Sequence, residues 1–61
     1  MSKPITDAVL RAILANLKEF GYPVTLEDVR CQVEIVKTKT ERPSIIGMMA
    51  ETMLRKGGYL E

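Results

Sequence analysis

Histidine is absent from the 61 residues and Cys31 is the sole cysteine, so the usual nucleophile–base pairs and zinc constellations have no material to be built from. A lone cysteine reads as a small core hydrophobe rather than a nucleophile. The adjacent carboxylates Glu27 and Asp28 fall where a helix start needs them, and the other acidic residues are scattered singly. Gly57 and Gly58 sit at the end of an amphipathic stretch, whereas phosphate is held at helix N-termini. The chemistry that does stand out is charge. Between Lys37 and Lys56 there are five basic residues (Lys37, Lys39, Arg42, Arg55 and Lys56) against Glu41 and Glu51, a local excess of +3 in a chain whose net charge is +1. The expectation is a non-enzymatic binding protein that needs no cofactor and no metal.

The elements that must position those residues are three helices. From Ile5 to Phe20 the apolar residues Val9, Leu10, Ile13, Leu14, Leu17 and Phe20 recur at three- and four-residue steps, with Arg11, Ala15, Lys18 and Glu19 opposite. Gly21 and Pro23 end that helix. A second start follows at once. Thr25 is placed as cap, Asp28 as its capping-box partner, and Val24 is set to staple against Val29, so a helix is predicted from Leu26 to Lys37. Its second half alternates (Val29, Cys31, Val33, Ile35) as a strand would, but no other segment offers a pairing partner of comparable length, and as a helix Leu26, Val29, Val33 and Val36 form one stripe. Cys31 and Ile35 then lie on a second stripe.

Lys37 to Arg42, KTKTER, is a polar connection, and Pro43 to Lys56 is the third helix, entered at Pro43 or with Ser44 as cap. At about 100° per residue, Ile45, Ile46, Met49, Ala50, Met53 and Leu54 share a face, with Gly47, Met48, Glu51, Thr52 and Arg55 on the other. The sequence therefore predicts one all-α domain spanning residues 1–61, a three-helix bundle with Val9, Ile13, Leu17, Val29, Val33, Ile46, Met49 and Met53 central, and Tyr59 and Leu60 covering the base of the core. A composition 46% apolar and 28% charged belongs to a folding chain, and no apolar run reaches the roughly 18 residues a membrane span requires. The first residues lack the apolar core of a signal peptide, so a cytoplasmic location is expected.

A capped helix beginning Val24-Thr25-Leu26-Glu27-Asp28-Val29, a polar connection, and then Arg42 to Glu61 resembles the three-helix core of winged helix-turn-helix proteins. In that family a phrase of the type L-x-x-x-G-[LY]-[LV]-E leads from the reading helix into the wing, and Leu54 to Glu61, LRKGGYLE, echoes it. The resemblance covers about Ile5 to Glu61 and implies a helix-turn-helix-like fold, a transcription-regulatory role and double-stranded DNA as partner. It places Arg42, Ser44, Met48, Glu51 and Arg55 toward the major groove, with Lys37, Thr38, Lys39, Thr40 and Lys56 near phosphates. Weak binding by a monomer would imply a dimer. A different class of function competes with it. Met48, standing among polar neighbours on the third helix, and the Cys31/Ile35 stripe are the material for a protein–protein interaction module, which would pair with its own copy or act as adaptor or inhibitor of a larger partner.

Overall fold

The computed structural model describes residues 2–60, and Met1 and Glu61, the last residue of the wing-like phrase, lie outside the described residues. Three α-helices of 13 residues each make up the fold: α1 Asp7–Glu19, α2 Leu26–Thr38 and α3 Ile45–Gly57. No strand occurs among the described residues, so the alternating segment from Cys31 to Lys37 is helix.

Each boundary has a local cause. Thr6 is extended and its carbonyl accepts from the Leu10 amide, so α1 begins at Asp7 and not at Ile5. At its other end Gly21 takes φ 92°, the Gly21 amide donates to the Lys18 carbonyl, and the Tyr22 amide donates to the Leu17 carbonyl. This is the two-bond glycine termination that satisfies carbonyls left over at a helix end. The predicted capping box of α2 is complete: the Asp28 amide donates to Thr25 Oγ1 at 3.2 Å and the Thr25 amide donates to Asp28 Oδ2 at 3.0 Å. For α3 the cap is Ser44, whose Oγ accepts from the Gly47 amide, so Pro43 precedes the helix instead of opening it. Gly57 remains helical and Gly58, at φ 82°, makes the stop, with the Tyr59 amide returning to the Leu54 carbonyl.

The end of α2 is made differently. Lys39 occupies the left-handed region at φ 56°, ψ 32°, and its amide donates to the Ile35 carbonyl at 2.8 Å. A residue with a Cβ pays about 1 kcal/mol in this conformation, which glycine does not. Lys39→Gly should therefore raise stability by about 0.5–1 kcal/mol, read as an upward shift of a few degrees in the thermal melt. An unchanged or lower Tm would mean that the lysine side chain makes a compensating contact.

The core comprises Leu10, Ile13 and Leu17 from α1, Val29, Val33 and Val36 from α2, and Ala50 and Leu54 from α3. Four residues expected at its centre, Val9, Ile46, Met49 and Met53, are only partly buried against it. The reason is a rotation of α3 relative to the stripe of its largest residues: its inward line is Gly47, Ala50 and Leu54, and Gly47, expected on the polar side, is buried. Small residues let the backbone of α3 approach α2, with which it shares its larger interface. A Cβ on Gly47 would stand 2.5 Å from Gln32 Oε1 and 2.7 Å from Pro43 Cβ. The same Gln32 Oε1 accepts the Ser44 amide at 3.2 Å, fixing the chain's entry into α3. Tyr59 and Leu60 do pack beneath the core, with the Tyr59 ring over Gly57. Lys3 joins the ends of the chain, its amide donating to the Gly58 carbonyl and its ammonium lying 5.5 Å from the Tyr59 ring centroid.

Candidate functional site

The rotation that brings Gly47 and Ala50 inward turns large apolar side chains outward. Ile45 is 58% exposed and Met48 50% exposed, and at 100° per residue both lie with Met49 and Thr52 on the side of α3 opposite Ala50 and Leu54. Phe20, 69% exposed, stands at the last turn of α1, where Gly21 has already turned the chain away and no residue of α2 or α3 covers the ring fully. It meets α3 in a shallow depression of about 280 Å³ lined by Phe20, Met49, Thr52, Met53 and Lys56. A second depression, of about 170 Å³, continues along the seam between α1 and α3; it is lined by Val9, Ala12, Ile13, Asn16, Met53, Leu54 and Tyr59. Met53 belongs to both.

The residues expected to bind DNA divide between separate parts of this surface. Lys37, in the last turn of α2, borders a depression formed with Ser2, Lys3, Pro4, Ile5, Tyr59 and Leu60. Lys56 lines the one beside Phe20, and these two depressions have no lining residue in common. Lys39 and Arg42 are exposed on the α2–α3 connection, where Thr38 Oγ1 donates to the Glu34 carbonyl and lies 3.1 Å from Thr40 Oγ1. Ser44 is committed to capping α3. Glu51 accepts from Arg55 at 3.1 Å one helical turn on, an exposed pair worth a few tenths of a kcal/mol that softens the positive charge of that edge. Met48 is where the sequence placed it, on the solvent side.

Phe20 and Ile45, which the helical periodicity predicts on core-facing stripes, are exposed instead. The signal that could have found Ile45 is the small-residue line of α3. Gly47, Ala50 and Leu54 at helical spacing mark the contact face, which leaves Ile45 and Met48 outside. The Cys31/Ile35 stripe is weaker as a surface. Cys31 is an exposed free thiol on a depression with Val24, Asp28, Gln32, Ser44 and Ile46, whereas Ile35 is half-buried. Among the described residues no three histidine, cysteine or carboxylate side chains gather as a metal site, and no helix is long and apolar enough to cross a membrane.

No protein-family model, no curated protein and no solved structure matches the chain.

Proposed function

We propose that this chain is a non-enzymatic binding module that docks another protein through the outward side of α3 and the end of α1. The observation that carries this reading is the exposure of Phe20, Ile45 and Met48, the large hydrophobics most open to solvent among the described residues, on or beside one helix face. Scattered exposed apolar residues are ordinary on any protein; a grouped set rimmed by polar residues is the usual mark of an interface. Methionines suit such a face because the flexible thioether adapts to the partner's contours.

Duplex DNA is the second reading. It is favoured by a run of exposed basic residues, Lys37, Lys39 and Arg42, leading directly into the N-terminus of α3. Against it, the outward side of α3 offers Ile45, Met48, Met49 and Thr52 to a groove whose walls are phosphate, and Glu51 beside them repels that backbone.

Two variants separate the readings. Met48→Glu places a charge where an apolar contact is required and should release the tagged chain from its complex in a cell extract, so that it elutes at monomer size. Arg42→Ala combined with Arg55→Ala should leave that elution unchanged. Should the double variant instead lose a salt-sensitive gel shift on duplex DNA that Met48→Glu retains, the protein-docking reading falls. Both variants alter exposed side chains and should melt close to the parent.

A further inference from the structure

We propose that the seam between α1 and α3 receives an amphipathic helix of a partner protein, one that carries two apolar anchor residues one to two turns apart and a carboxylate beside them. The inference rests on the protein-docking reading above and extends it from Phe20 into the adjoining seam, which Ile45 and Met48 do not line. Three features of the seam select it. The first is shape: two adjoining shallow depressions, of about 170 and 280 Å³, share Met53, and each suits one large apolar side chain. The second is spacing. Asn16 borders one depression and Phe20 the other, four residues or about 6 Å apart along α1, and the outermost linings, Val9 and Phe20, are separated by about 17 Å. Residues i and i+4 of a helix are about 6 Å apart and residues i and i+7 about 10 Å, so two anchors on one helix face match the seam.

The third feature is what the walls lack. Both are helices whose amides are bonded within themselves, so an extended peptide would find no backbone partners there, whereas a helix brings its own. Charge then sets the partner's polarity. Among the described residues lining the two depressions, Lys56 alone is charged at neutral pH, and it is exposed. A carboxylate on the docked helix pairs with it and a lysine at the same place is repelled. The pairing is at the surface, so it selects between partners and contributes little affinity.

The test uses two fluorescent peptides of about 16 residues, long enough for four turns, with leucines at helical anchor spacing and either glutamates or lysines flanking them. Their binding to the whole chain is followed by anisotropy for the parent and for Phe20→Ser, Lys56→Glu and Lys37→Glu, with circular dichroism to confirm that each variant is folded. The acidic peptide should bind the parent about threefold to tenfold more tightly than the basic one. Lys56→Glu should reverse that order, Phe20→Ser should weaken both peptides about tenfold, and Lys37→Glu, at the other depression, should change neither. Equal affinity of both peptides for the parent and for Lys56→Glu overturns the acidic partner, and if Phe20→Ser still weakens both, the docking surface itself survives. Binding of neither peptide overturns the seam as a helix receptor. In that case release of the chain from its cellular complex by Met48→Glu would still uphold the docking face, and its absence would remove both. Concentration-dependent dimerisation of the parent that the acidic peptide fails to compete overturns the proposal in favour of a second copy.

Discussion

Leu17→Ala will cost about 2–5 kcal/mol and leave much of the chain unfolded near physiological temperature. Leu17 is fully buried at the centre of the three helices, and alanine there loses the transfer free energy of the removed methyl and methylene groups and leaves a cavity that close-packed neighbours fill only in part. A domain of this length buries only roughly 60% of the surface of its unfolded chain and sits toward the low end of the 5–15 kcal/mol range of native stability, so one such cavity is a large fraction of the total. Urea unfolding monitored by helical ellipticity measures it. Ile46→Ala provides the contrast: Ile46 is half-buried, and its truncation should cost less than Leu17→Ala. Equal losses at the two sites would place the core nearer the Ile46 flank of α3 than the burial pattern does.

Gly47→Ala is the second large effect, and its sign is the informative part. In an exposed helix the change stabilises by about 1 kcal/mol, because alanine loses less backbone entropy. Here the added methyl meets Gln32 Oε1 and the Pro43 ring, neither at an acceptable distance. The glutamine amide could swing away, but it would give up the Ser44 amide that it holds at 3.2 Å, and the proline ring has nowhere to turn without moving the entry of α3. Overpacking of this kind typically costs about 1–3 kcal/mol, which outweighs the gain in propensity. The expected result is a net loss of about 1–2 kcal/mol in a urea titration, and restoration of part of it by Gln32→Ala in the same chain, since the pair is in contact and should not be additive. A stabilised Gly47→Ala would show that α2 and α3 stand further apart than described.

Helix existence and most of the punctuation were legible because their causes are local. Thr25 with Asp28, Ser44 before Ile45, and Gly21 and Gly58 after α1 and α3 each act within one turn of their own position. Lys39 was not foreseen as a left-handed cap, because a lysine carries no signal for that conformation; the geometry is imposed by the return of its amide to Ile35. The rotation of α3 was misread for a different reason. Periodicity weights residues by apolarity: it puts Ala50 and Leu54 on the inward face but centres that face on Ile46, Met49 and Met53 and leaves Gly47 outside it, yet close approach of two helices is governed by how little the facing side chains occupy. The same rule hid the candidate site. Met48 could be found from its polar neighbours, whereas Phe20 continues the spacing of Val9, Ile13 and Leu17 and is left open because α1 ends there and α3 meets it only along the shallow depression lined by Met49, Thr52, Met53 and Lys56.

The central claim, that the outward side of α3 meets another protein, is tested most directly by photo-cross-linking in the cell from a photoreactive residue at position 48, with position 34 on the exposed outer side of α2 as the comparison. The account predicts a discrete protein adduct from position 48, none from position 34, and loss of the position-48 adduct when Phe20→Ser is added. A position-48 adduct that is sensitive to nuclease, or equal labelling from both positions, would contradict it.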